Sequence, residues 1–138
     1  MRVVLDTNVV YSALNSARGV SFRLLSLLSE ERFETAVSVP LVLEYEDALG
    51  RLVQQEKLKR DDADIALDFM CSVSVHQSIF FLWRPLLRDP KDDHVAELAI
   101  AAGCDAIVTY NYRDFAALRQ FELEVISPYE LLVRLGES

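Results

Sequence analysis

The chain has 138 residues, 51% of them hydrophobic and 26% charged, with a formal net charge of −8. That length suits one domain, which buries about two-thirds of the surface its unfolded form exposes and needs no disulfide or structural metal to fold. The acidic balance argues against a broad basic cradle for nucleic acid, where Lys and Arg supply most of the affinity; a local cation site remains open, because a bound metal reverses the sign of an acidic pocket.

The first predicted element is a strand over Arg2–Leu5, an apolar run that ends abruptly in Asp6-Thr7-Asn8. Polar residues there stand where an α/β sheet exposes its functional groups. Helical spacing follows over Val20–Leu28, then a strand over Thr35–Ser38. Pro40 suits the first turn of a helix over Leu41–Val53, which carries Glu44. A helix over Ala63–Met70 leads to a strand over Val73–Val75. The run Phe80-Phe81-Leu82-Trp83-Arg84-Pro85, with Arg88 close behind, reads as core or as a protein contact, stacking on unpaired bases being the alternative. A helix over Val95–Ala102, strands over Ala106–Thr109 and Leu123–Ile126, and a helix over Tyr129–Leu135 opened by Pro128 complete the series. Strands alternating with helices imply a parallel sheet wrapped by helices, in a single domain over 1–138.

Four acids, Asp6, Glu44, Asp92 and Asp93, follow strands or open helices, so one pocket can gather carboxylates from distant parts of the chain. On a helical wheel Val95, Leu98, Ala99 and Ala102 form an apolar stripe that Asp92 flanks, whereas Asp93 and Glu97 lie on the opposite side. Asp92 is therefore better placed beside the sheet, with Asp93 its rival because wheel geometry fails at a helix start. Glu44 lies early in its helix, where side chains lean back toward the N-terminus and the strand end. Each acid also has a plainer reading: Asp6 ends a strand in a turn, Asp92 or Asp93 caps a helix, and Glu44 joins Glu46 and Asp47 on a solvated face. His76 and His94 have no Ser or Cys partner at a recognisable spacing and read as solvent-facing or locally bonded; Glu97 reads as solvated or paired. Arg18, Arg51, Arg84, Lys91 and Arg113 are candidate phosphate contacts or scattered surface charge.

Cys71 and Cys104 lack a C-x-x-C partner or a His at ligand spacing and read as buried structural thiols, which suits a reducing cytoplasm. No stretch reaches the length of a membrane span, and no signal-peptide pattern precedes the first strand, so a soluble cytoplasmic protein is expected. Only four glycines occur, none arranged as a dinucleotide or nucleoside triphosphate loop. A haloacid-dehalogenase-like phosphatase needs a second acid where Asn8 stands, and a response-regulator receiver needs paired acids ending its first strand.

The residues Leu5-Asp6-Thr7-Asn8-Val9, Ser38 through Tyr45, Asp89-Pro90-Lys91-Asp92-Asp93, Glu97-Leu98-Ala99 through Gly103, Ile107-Val108-Thr109 and Arg113-Asp114-Phe115 span nearly the whole chain. In that order and spacing they resemble the PIN domain family, small metal-dependent nucleases that include the VapC-type toxins of bacterial toxin-antitoxin pairs. The Asp-Pro-x-Asp-Asp segment is similar to a subgroup described as toxin components. The resemblance implies a three-layer α/β/α domain with a central parallel sheet of four to five strands. It also implies an acidic pocket at the strand carboxyl ends, with Asp6, Glu44 and Asp92 as catalytic, metal-holding acids for Mg²⁺ or Mn²⁺. A fourth family carboxylate falls at Asn111, a departure that puts a second metal in question. Asn111 and Asp114 are then peripheral ligands, and Thr7, Asn8 and Thr109 orient water or phosphate. The implied activity is endoribonuclease cleavage of single-stranded or loop RNA, with an antitoxin and a homodimer as implied partners. The alternative is a catalytically weak or silent module that binds RNA or protein, which Asn111 keeps alive.

Overall fold

A computed structural model describes residues 1–79 and 92–137. The aromatic run from Phe80 to Pro85, Arg84, Arg88 and the Asp89-Pro90-Lys91 stretch lie outside the described residues. The described elements are β1 (Arg2–Leu5), α1 (Thr7–Asn15), α2 (Val20–Ser29), β2 (Glu34–Val37), α3 (Val39–Gln54), α4 (Arg60–Val73), β3 (Val75–His76), α5 (Asp93–Ala101), β4 (Ala106–Val108), a run of 3₁₀ turns (Tyr112–Phe121), β5 (Glu124–Ile126) and α6 (Pro128–Arg134).

The five strands form one sheet in the order β3-β2-β1-β4-β5, and every pairing is parallel. The chain winds outward from β1 to β3 on one side and resumes at β4 on the other, so strand order reverses between β1 and β4. At that reversal, crossovers leave in opposite directions and open a crevice outside the strand carboxyl ends. The central strands are covered on both faces: Val3, Val4 and Leu5 of β1 and Ala106, Ile107 and Val108 of β4 are all 0% exposed. Burial on both faces is why these runs are continuously apolar instead of alternating. With helices over the sheet this is the three-layer α/β/α fold.

Several element ends have visible chemical causes. Ser38 Oγ accepts the Leu41 amide at 3.4 Å, and with Pro40 in the first turn it starts α3 directly after β2. Ser127 Oγ does the same for the Glu130 amide at 3.1 Å, with Pro128 opening α6. Gly103, at φ 63°, ends α5: its amide bonds the Ile100 carbonyl at 3.2 Å while the Cys104 amide bonds the Ala99 carbonyl at 2.9 Å. This is a Schellman turn, which requires a left-handed residue at that position and aims the chain into β4.

Three elements depart from the sequence reading. Helix α1 follows β1 with no intervening loop, because Asp6 itself serves as its cap by accepting the Thr7 amide at 2.9 Å. Val9, Val10 and Ala13 are its buried face, a short stripe that a sequence window overlaps with the end of β1. Tyr112–Phe121 is the second, a 3₁₀ run in a segment to which the sequence reading assigned no element; it buries Phe115 and Leu118. The strand at Val73–Val75 is displaced to Val75–His76, since α4 continues through Val73.

Helix α5 lies against β1, β2 and β4, and Val95, Leu98, Ala99 and Ala102 are buried along the expected stripe. Glu97, read as solvated or paired, is only 9% exposed, and burial followed by the charge of Asp93 raises its carboxyl above the usual range. Helix α5 also packs on α3 and on the 3₁₀ run, so a wheel that assumes one buried face understates its cover. Cys71 and Cys104 are free and partly exposed instead of fully buried; burial still pushes the Cys104 thiol up to about 11, which leaves it protonated and inert near neutral pH. No described helix is long and apolar enough to cross a membrane.

Candidate active site

The pairing of β1 with β4 sets Leu5 level with Val108, so the next residues of each chain, Asp6 and Thr109, emerge side by side at the point of strand reversal. The ladder continues one step past both strands: the Asp6 amide bonds the Val108 carbonyl and the Thr109 amide the Ile126 carbonyl, each at 2.9 Å. Tyr45, buried in α3, donates its hydroxyl to the Leu5 carbonyl at 2.5 Å and fixes the end of β1 from the other side.

Around Asp6 all the donors point inward. The Thr109 hydroxyl donates to Oδ2 at 2.8 Å and the Thr7 amide to Oδ1 at 2.9 Å, while the Asn8 side-chain amide stands 3.4 Å from both Oδ2 and Thr109 Oγ1. The Asn111 amide donates to Thr109 Oγ1 at 3.0 Å, so the hydroxyl is oriented toward the carboxylate. Asp6 is 7% exposed. Burial raises its carboxyl above the ordinary value; the Thr109 and Thr7 bonds pull back, and Glu44 pushes up again. The hydrogen bonds from Thr109 and Thr7 therefore offset the burial of this carboxyl only in part.

Glu44 arrives from α3. Its Oε1 accepts the Thr7 hydroxyl at 2.9 Å, and its Oε2 pairs with His94 Nε2. Burial pushes this carboxyl up, but the bonds from His94 and Thr7 outweigh it and hold the group below its usual value. His94 responds in the opposite sense: burial lowers the imidazole, and the Glu44 bond, then the charges of Glu44, Asp92 and Asp6, carry it above its ordinary value. Its Nδ1 is buried without a hydrogen-bond partner among the described residues. His94 is thus bound to the acidic group itself, a role its neighbours in sequence did not signal; the available clue was its position next to Asp93 on a helix that starts at the site.

Asp92 stands at the N-cap position of α5 yet makes no capping hydrogen bond with its side chain. It lines a cleft of about 360 Å³ together with Asp6, Thr7, Asn8, Tyr11, Glu44, Arg51 and Asn111. The structure therefore brings three acids and Asn111 to one opening. Asp93 and Asp114 do not line it: Asp93 acts electrostatically on Glu97, and Asp114 sits in the 3₁₀ run with its amide on the Asn111 carbonyl at 3.2 Å. Thr109 is buried behind Asp6. Tyr11 is the cleft residue that the sequence reading missed, because it belongs to the unforeseen α1.

The donor set suits a hard divalent cation in kind, since carboxylate oxygens with an amide oxygen are what Mg²⁺ or Mn²⁺ prefers. In arrangement it is not closed: among the described residues, no group of three or more His, Cys, Asp or Glu side chains is poised to hold a metal ion. Glu44 is turned to His94 and Thr7 instead.

A parallel sheet whose strand order reverses at an acidic cleft makes this a doubly wound α/β domain with its candidate site at the switch point. The chain belongs to the PIN domain family, whose profile matches residues 2–113. Among solved structures the fold is similar to a chain in the crystal structure of VapBC2 from Rickettsia felis bound to a DNA fragment from their promoter. That chain is 18% identical, and the match has a TM-score of 0.60 and covers 92% of the present chain and 98% of the other. At that identity the likeness is one of fold. No curated protein is significantly similar in sequence.

Proposed function

We propose that this PIN domain is a Mg²⁺- or Mn²⁺-dependent endoribonuclease acting on single-stranded or loop RNA. The observation that carries the reading is the meeting of Asp6, Glu44 and Asp92 in one cleft at the strand reversal, from parts of the chain 38 and 48 residues apart. Asp6 would be the principal ligand, with Glu44 and Asp92 binding directly or through water and Asn111 at the periphery. Bound there, a divalent ion would activate water and neutralise charge growing on the phosphate. Thr109 and the Thr7 amide hold the Asp6 carboxylate in place, Thr7 and His94 hold Glu44, and Asn8 spans Asp6 and Thr109. No side chain is needed as a covalent nucleophile.

The purified chain should cut a single-stranded oligoribonucleotide faster than its duplex or its DNA counterpart. Cutting should stop in EDTA and return with Mn²⁺ or Mg²⁺. Full activity after thorough chelation would overturn the metal mechanism. One rival has specific support: Asn111 lines the cleft with a neutral amide, at the position where the resemblance implies a fourth carboxylate. RNA binding without cleavage at any Mn²⁺ concentration would assign a silent module.

Asn111 itself should respond. Its side chain lines the cleft and carries no charge, so Asn111→Asp adds a full negative charge to the donor set. The Mn²⁺ concentration for half-maximal cleavage should fall by roughly tenfold, and calorimetric titration should show the same tightening. Identical curves would mean that residue 111 faces elsewhere when metal binds.

A toxin role, with an antitoxin as partner, extends this reading. Its support is family membership and the fold likeness to the VapBC2 chain. A homodimer and a cytoplasmic setting belong to the same proposal.

A further inference from the structure

The acidic cleft has a second chemical character at its other end. Thr7, which bonds Glu44, and Tyr11 lie four residues apart on α1, and Glu44 and Arg51 lie seven apart on α3. Each pair therefore falls on one face of its helix, one turn apart on α1 and two turns on α3. Tyr11 and Arg51 consequently meet as a second rung beyond the first. The Arg51 guanidinium carbon stands 6.0 Å from the Tyr11 ring centroid, and Nη1 donates to Asp47 Oδ2 at 2.7 Å, one turn back along α3.

Of the described residues lining the cleft, Arg51 is the one that carries a fixed positive charge. A helix-surface ion pair alone would contribute little and call for no further reading. Two features go beyond that: an aromatic ring beneath the guanidinium, and an opening shared with three carboxylates. A single-stranded nucleic acid bears one negative charge per nucleotide. A metal at Asp6 would compensate the phosphate being cut and leave its neighbour against an acidic wall. An Arg about one to two helical turns away, presenting five N–H donors in a planar fork of which the Asp47 bond uses one, meets that need.

We propose that Arg51, seated on the Tyr11 ring and tethered by Asp47, binds the phosphate adjoining the scissile one in single-stranded RNA. This subsite rests on the reading that the cleft takes a nucleic acid strand. Arg51 supplies the contact; Tyr11 and Asp47 are positioning residues, holding the guanidinium by its face and by one edge.

The test compares the wild-type chain with Arg51→Gln, Tyr11→Leu and Arg134→Gln. Arg134 is bonded to Glu124 at the amino end of β5, the opposite end of the sheet from the cleft, and controls for loss of one positive charge. Two quantities are read across a series of salt concentrations: kcat and KM for a single-stranded oligoribonucleotide with Mn²⁺, and fluorescence anisotropy of the same labelled strand in EDTA, where nothing is cut. Arg51→Gln should raise KM by about tenfold with kcat within about twofold, and flatten the salt slope of log affinity by about 0.7, the share of one single-strand phosphate contact. Tyr11→Leu should give a smaller rise in KM, and Arg134→Gln should match wild type. An unchanged slope in Arg51→Gln, or equal flattening in Arg134→Gln, overturns the subsite. If the anisotropy slope depends on Arg51 but no cleavage occurs, the subsite stands and the nuclease reading falls. If no strand binds at all, both fall.

Discussion

Asp6→Asn should lower RNA cleavage by roughly 10³-fold at saturating Mn²⁺, a loss of about 4 kcal/mol of transition-state stabilisation. Asp6 is the least exposed of the three cleft acids and is gripped by Thr109 just past β4 and by the first amide of α1, so no neighbouring carboxylate can take over its position. The change is nearly isosteric, which separates charge from shape. Metal-free stability is subject to two opposing effects. The carboxyl's folded pKa lies above its unfolded value of 3.8, so its contribution is fully present below that pH and lost as pH rises through the folded value. Asn removes this cost of ionising a buried group. Against it, every group facing Asp6 is a donor, and the Thr109 hydroxyl also accepts from Asn111 and lies within reach of Asn8, so it cannot simply turn. The amide of Asn would then face a donor, at a cost of about 1–3 kcal/mol. The melting temperatures of the two metal-free proteins should therefore be close, while Mn²⁺ should raise that of wild type by several degrees and leave the variant unmoved. A variant that still cleaves normally, or that still gains stability from Mn²⁺, would remove Asp6 from the site.

Asp92→Ala should cost roughly 10²-fold in cleavage at saturating metal, and Asp93→Ala less than about twofold. The two residues are adjacent in sequence, so composition and net charge change identically; only the direction of the side chain differs. Asp92 lines the cleft, whereas Asp93 is not among the lining residues and its charge acts on Glu97. Removing Asp93 relieves Glu97 of a like charge but also takes the acid from the first turn of α5, two effects of opposite sign on stability in urea unfolding. The reverse order of activities would show that α5 rotates its first turn when metal binds.

Much of this was legible from the residues alone. β1 and β4 are buried on both faces, and such strands must be continuously apolar, so Arg2–Leu5 and Ala106–Val108 announce themselves. Pro40 and Pro128 mark the starts of α3 and α6, because a first-turn residue has no use for the amide that proline lacks. A polar residue closing an apolar strand marks Asp6. Glu44 and Asp92 could be nominated by position, and the family pattern made them a set.

What the sequence could not specify depended on contacts between elements. Helix α1 was hidden because Asp6 is at once strand end, helix cap and cleft acid, leaving no turn to read. The 3₁₀ run is held by burying Phe115 and Leu118, a tertiary contact that its local sequence does not announce. Glu97 falls opposite the apolar stripe on a wheel that allows α5 only one covered face, yet α5 also packs on α3 and the 3₁₀ run. His94 shows the limit most clearly. Its bond to a carboxylate 50 residues away exists only because the register of β1 with β2 and β4 brings the starts of α3 and α5 to the same end of the sheet. Local pattern determines which residues are buried and where helices begin. Strand register and helix packing decide which distant side chains meet, because hydrogen bonds between such groups form only after the sheet has set their separation.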